Sequence, residues 1–243
     1  MPDFYKIYRG SKRYSDPDFK PDSDAFYWAD MGEDTEFMAT KAEPLITWKK
    51  ASSVYTQHSL FGEDGVSVED VKQGYVGDCW FLAACSAMAE VPGRVERLFL
   101  NNKNELSPNG IYGVNFYTLG VPHTVIVDDW LPLRETSSGT TTLFAKVSED
   151  KALWAPILEK AFAKYHGNYE HIVAGNTGIA ARTLSGAPYQ SEEHKTTGAT
   201  ALDITALWKK IVEHDKKNSI ILGDTHSSTT SATQNSVGLF YGH

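Results

Sequence analysis

Residues 73–88 read QGYVGDCWFLAACSAM, and this stretch constrains the chain most. A glycine-rich turn runs straight into Ala83, Ala84, Ala87 and Ala89. Alanines are strong helix formers, and their small side chains let neighbouring elements approach closely. Pro92-Gly93 then stops the run. The pattern predicts a buried helix over 79–90. Both cysteines of the chain, Cys79 and Cys85, fall on it. If the segment is helical, positions six apart point about 240° away from each other, so a bridge between these two is not expected. Two cysteines in 243 residues do not make a disulfide framework, and a reducing, cytoplasmic setting is expected.

The other elements suggest a mixed fold. The chain is long enough for one large domain or two lobes. Residues 44–55, PLITWKKASSVY, read as a strand entering a turn. Residues 110–120 and 123–133 are β-branched and aromatic and read as a hairpin around Gly120–Pro122. Residues 150–166 read as a second helix, capped by the Ser148-Glu149-Asp150 run and stopped by Gly167-Asn168. The interior Pro156 demands a late start or a kink. Residues 205–218 form an amphipathic helix, 219–225 a buried strand, 226–236 a Ser/Thr-rich loop, and a last strand opens at Val237. This order suits an α+β protein. Residues 1–24 read as an irregular arm, which Phe19, Phe26, Tyr27 and Trp28 would tack onto the core.

Composition removes several functions. Net charge is -8, which argues against nucleic acid or an anionic membrane as partner. No apolar run approaches the roughly 18 residues of a membrane helix, and the N-terminus has no signal-peptide core. Phosphate-loop, dinucleotide and H-E-x-x-H motifs are absent. The eight histidines do not pair with cysteines at zinc spacing. The acidic loop 61–74 lacks an EF-hand ladder, and reads either as a solvated turn or as a calcium loop of another geometry.

Cys79 stands where the turn becomes a helix. Helix N-termini expose unpaired N–H groups and partial positive charge, which favour the nucleophilic thiolate. Gly77 lets the backbone turn tightly, and Gln73 lies across that turn, where its amide could join the Cys79 N–H in an oxyanion hole. Taken alone, Cys79 also reads as a buried structural thiol. Cys85, flanked by Ala84 and Ser86 inside the helix, reads as packing.

The flanking residues separate these alternatives. Gln-Gly-x-x-Gly-Asp-Cys-Trp resembles the active-site segment of the calpain family of cysteine proteases, and more loosely the papain-type signature. YSDPDF (14–19), ITWKKASSV (46–54), VIVDDWLP (125–132) and LWAPILEKAFAKYHGNYE (153–170) resemble further segments of that family in the same order. The resemblance implies a papain-like two-lobe fold. Residues 1–24 would be the arm, 25–188 the first lobe with the nucleophile helix, and 189–243 the start of a β-rich second lobe. It implies Cys79 as nucleophile, His243 of the Gly-His pair as base, with His226 the weaker alternative, and Gln73 in the oxyanion site. Gly77, Trp80 and Gly175 would meet substrate, with Asn176 where the family often has a second glycine. Asp128 and Asp129 would be structural.

The resemblance also implies calcium in the first lobe, with Asp70 as a ligand. Ala152 stands where the family has a second carboxylate, which leaves Glu149 or Asp150 as substitutes. The family's orienting asparagine, in Asn-Pro-Trp after the histidine, has no match, so the 243 residues are expected to be part of a longer polypeptide. The implied activity is limited proteolysis of intracellular proteins. Against it stands a catalytically inactive module of the same fold, serving as an interaction part of a larger assembly. A transglutaminase-like acceptor change fits the motifs less well.

Overall fold

The computed structural model describes residues 3–27, 46–136, 139–193, 203–225, 238, 239 and 241. Its strands are β1 (Ile46–Lys50), β2 (Ile111–Thr118), β3 (Val121–Asp128), β4 (Trp130–Thr136) and β5 (Gly139–Thr142). Its helices are α1 (Phe4–Tyr8), α2 (Ala51–Val54), α3 (Cys79–Ala89), α4 (Trp154–His166), α5 (Thr177–Ser185) and α6 (Ile204–Asp215). The strands form a three-stranded antiparallel sheet in the order β1-β4-β5 and a separate β2-β3 hairpin. The mixture of helix and sheet is the α+β class expected.

The hairpin pairs Ile111 with Asp128 and Thr118 with Val121. Leu119 and Gly120 turn it, both at positive φ (52° and 82°). That is the signature of a tight two-residue turn matched to strand twist, and Leu119 adopts a conformation glycine or asparagine usually supplies.

The sequence predicts one strand over 123–133, and the structure corrects this to two. β3 ends at Asp128, and β4 begins at Trp130 in the other sheet. The two acids explain the corner, since buried charges must find partners. Asp128 is fully buried and accepts from the Asp16 N–H (2.8 Å), the Trp130 N–H (3.2 Å) and the Lys160 ammonium. Asp129 accepts from Arg13 (2.7 Å) and the Ser52 hydroxyl (2.6 Å). Those partners come from the arm, α2 and α4, so the chain bends where the acids are.

α3 is buried on nearly all sides through Trp80, Phe81, Leu82, Ala84, Cys85, Met88 and Ala89. An all-round apolar helix belongs in a core. α4 starts at Trp154, later than Asp150, which satisfies Pro156 as the third helical residue, where an N–H has no intrahelical acceptor. Its cap residue Leu153 makes no side-chain cap; Ser148 instead accepts the Ala152 N–H (2.9 Å) in the turn ahead. Phe162 is the junction of the core. It stacks on Phe81 at 3.8 Å and meets Trp80 and Phe116 edge-on.

The arm is more ordered than its composition predicts. α1 packs Phe4 against Ile111 and Ile126, and Phe19 and Phe26 enter the main core with Tyr27 against it. Trp28 lies outside the described residues. Lys164 clamps Asp16 with two contacts of 2.7 Å.

α6 forms as expected, with Asp203 capping the Thr205 and Ala206 N–H groups (2.9 and 3.1 Å). The buried strand expected over 219–225 does not form. Among the described residues the segment joins no sheet, Ile221 is 41% exposed, and only Ile220 and Leu222 rest against the core. A short apolar run becomes a strand only beside an edge with free N–H and C=O groups, and among the described residues it has none. The loop and strand expected after residue 225 lie outside the described residues, three isolated positions apart.

Candidate active site

Cys79 is the first residue of α3, and its thiol is partly exposed. Burial pushes the thiol above its ordinary value, the Trp80 N–H pulls it back, and the charge of Asp78 adds to the rise. The helix N-terminus therefore does not by itself give the low-pKa thiolate that the sequence suggests. Desolvation outweighs the first-turn donors. Cys85 is fully buried, with its thiol pushed far up by desolvation, as a packing residue should be.

The turn before α3 is tied at several points. The Gln73 amide nitrogen donates to the Val76 carbonyl at 2.8 Å, which fixes the amide across the turn and leaves its second N–H. The Tyr75 N–H reaches the Leu143 carbonyl at 3.1 Å. The Gly77 carbonyl accepts the Ala174 N–H at 2.9 Å, and the Trp80 indole N–H donates to the Ile172 carbonyl at 2.8 Å. Gly175 lies on the indole face so closely that a Cβ there would sit 2.3 Å from the ring. Trp80, Gly77 and Gly175 are thus brought together beside Cys79, with Gln73 on the same turn. Asn176 does a different job: its side chain caps α5 through the Ile179 N–H at 3.0 Å. His243 and His226 lie outside the described residues.

Asp70 is not on a solvated loop. It is 3% exposed in the short helical turn Val68–Asp70 and accepts from the Trp154 indole N–H (2.7 Å) and the Ser67 N–H (2.9 Å). Burial raises its pKa, and Asp150 beside it adds to the rise. One oxygen of Asp150 is buried without a hydrogen-bond partner. Among the described residues no group of three or more His, Cys, Asp or Glu side chains converges on a common point. Glu149 is turned outward onto Lys72 at 2.7 Å, while Asp150 lies beside Asp70.

A further pair escapes sequence reasoning. Asp78 is 0% exposed and Glu159 of α4 is 1% exposed. Both Glu159 oxygens accept the Ala145 N–H at 3.0 Å, while the Asp78 carboxyl meets no donor beyond its own backbone N–H. Burial pushes Asp78 up to about 7 and Glu159 well above its ordinary range, with the charge of Asp78 the second cause for Glu159. Each acid stands in its own motif, Gly-Asp-Cys-Trp and Leu-Glu-Lys-Ala, and neither motif reveals that the two meet.

A family model described as calpain family cysteine protease matches residues 14–243. The chain is 30% identical to the calpain-type cysteine protease ADL1 of Oryza sativa subsp. japonica, over 98% of this chain and 11% of that protein. It is 34% identical to calpain-5 of Caenorhabditis elegans over 62% of this chain and 23% of that protein. It is 27% identical to calpain-5 of Rattus norvegicus over 95% of this chain and 35% of that protein. The chain therefore spans only a minor part of the length of these relatives. With the family match beginning at the arm and running through turn, nucleophile helix and α4, the chain belongs to the calpain family of cysteine proteases.

Proposed function

We propose that the chain is the core of a calpain-type cysteine endopeptidase with Cys79 as nucleophile. The observation that carries this is the placement of a partly exposed Cys79 at the first residue of α3, within reach of the Trp80 N–H and flanked by Gln73 and the Trp80–Gly175 contact. The Cys79 sulfur attacks the scissile carbonyl carbon while its proton passes to His243. The free Gln73 N–H and the Cys79 N–H hold the oxyanion. The C–N bond breaks, His243 returns the proton to the leaving amine, and water then hydrolyses the thioester. Protein segments are the substrates, the two-lobe arrangement divides at residues 25–188 and 189–243, and the setting is cytoplasmic. Among the described residues no helix is long and apolar enough to cross a membrane.

Calcium fits the first half of this core. Two abutting carboxylates, one with an orphaned buried oxygen, favour a hard cation between them, and Asp70 and Asp150 would hold it with backbone oxygens. Bound there, calcium would neutralise the two acids and tie loop 61–74 to the turn before α4. A second reading is an inactive calpain-fold module working within a larger assembly, favoured by Ala152 standing where the family has a calcium carboxylate.

An epoxide inhibitor of cysteine proteases separates the two. Covalent labelling of Cys79, with peptidase activity lost in Cys79→Ala, is the expected result. A folded protein left unlabelled at Cys79 at every calcium concentration would overturn the protease reading.

A further inference from the structure

An aspartate just before a helix ordinarily caps it, its carboxylate accepting a first-turn N–H. Asp78 occupies the cap position of α3, with φ −104° and ψ 26°, yet makes no side-chain cap. Its backbone carbonyl takes the Phe81 and Leu82 N–H groups (2.8 and 3.1 Å), so the donor a side-chain cap would compete for is the Trp80 N–H. That is one of the two backbone donors that lower the Cys79 thiol, the other being its own N–H. The Asp78 carboxyl instead turns inward to meet Glu159.

Two ionised carboxylates cannot share a fully buried site without a cation. Among the described residues no cation bonds either acid: the Lys146 charge acts on Glu159, but its ammonium donates to the Thr142 and Leu143 carbonyls. The Tyr169 hydroxyl and the Cys85 thiol are both held neutral by desolvation and by these same acids. The Ala145 N–H serves Glu159 alone. A proton between the acids resolves the conflict, as in other buried carboxyl pairs. It resides on Glu159, which becomes the missing donor for Asp78.

We propose that Glu159 is a positioning residue for Cys79: as a carboxylic acid it donates to Asp78, holds that side chain off the first turn of α3, and leaves the Trp80 N–H to the sulfur. The proposal rests on Cys79 being the reactive thiol. Remove the donor, and Asp78 either remains an unpaired buried charge beside the thiol or swings out to take the Trp80 N–H. Both raise the thiol further.

The test is iodoacetamide alkylation of Cys79, followed by peptide mass across pH, in wild type, Glu159→Gln and Glu159→Ala. The amide of Gln also donates to Asp78 and should keep the alkylation rate within about threefold at neutral pH, while Ala should slow it about tenfold, the equivalent of one pKa unit. Equal rates in wild type and Glu159→Ala, or equal slowing in both variants, would overturn the proposal. If Glu159→Ala does not fold, infrared difference spectra of wild type minus Glu159→Gln at neutral pH decide the matter. A protonated carboxylic acid band is expected, and its absence is the refuting result. Alkylation reads the thiol directly, so the expected pattern in a protein without peptidase activity would reject the protease reading and leave the positioning pair standing.

Discussion

α4 and α6 are both amphipathic, of similar length, and rich in lysine with one tryptophan each, yet they end in opposite environments. Ten residues of α4 are buried, including Glu159 and Lys160. None of α6 is buried, and Ile204 and Trp208 stand 62% and 64% exposed. The difference lies in what faces each helix. α4 meets α3 and the hairpin through Phe162 and closes the sheet corner through Lys160. The apolar stripe of α6 has no such neighbour among the described residues. An amphipathic pattern states which face would gain from burial; it does not supply the surface that buries it.

The largest expected effect breaks the core side of this contrast. Phe162→Ala should destabilise the fold by about 3–5 kcal/mol, read from urea unfolding, because the ring packs on three others from α3 and β2 and the cavity cannot collapse. Lys160→Met should cost a comparable 3–5 kcal/mol or so, since it strands the buried Asp128 carboxylate. A loss as small as an exposed lysine would give would show that the corner is held by the sheets alone. Gly175→Ala should cost about 1–3 kcal/mol through overlap with the Trp80 indole, and should lower inhibitor labelling of Cys79 as the two loops part.

Proton linkage gives a smaller, graded effect. The acids at 78 and 159 hold a proton in the folded protein that the unfolded chain releases near pH 4. Stability from this pair is therefore present in acid and declines as pH rises above about 4, through about 7 at Asp78 and through the strongly raised range of Glu159, by up to about 1.4 kcal/mol per pH unit for each proton. The wild-type minus Glu159→Gln difference in urea midpoint across that window isolates the slope, and a flat difference would contradict a shared proton. At the weak end, Trp208→Ala should change stability by no more than about 0.5 kcal/mol. A loss of several kcal/mol would reveal a covering surface on α6 and erase the contrast between the two helices.

How much of this was legible in the sequence follows from whether the deciding contacts are local. α3 could be read because its alanines and the Pro92-Gly93 stop are contiguous. Gln73, Gly77, Cys79 and Trp80 could be read because they share one turn. The late start of α4 was announced by Pro156. The break between β3 and β4 was not readable, because Asp128 and Asp129 bend the chain toward partners that arrive from residues 13, 16, 52 and 160. The same limit hid the Asp70–Asp150 and Asp78–Glu159 meetings, which pair acids from separate segments. The run 219–225 misled because its composition suits a central strand, whereas a strand needs an edge to join.

The Lys160 contact at the sheet corner has a consequence for the order of folding. One ammonium binds the Asp128 carboxylate, the Asp128 carbonyl (3.2 Å) and the Trp130 carbonyl (2.7 Å), all 30 or 32 positions away, while Lys164 holds Asp16 across 148 positions. The hairpin can zip locally and early. The turn from one sheet into the other closes only when α4 and the N-terminal arm have both docked. Such distant closures are slow, because loop entropy is lost before any contact repays it. The corner is therefore expected to close late in folding, completing the site only after both ends of the core have arrived.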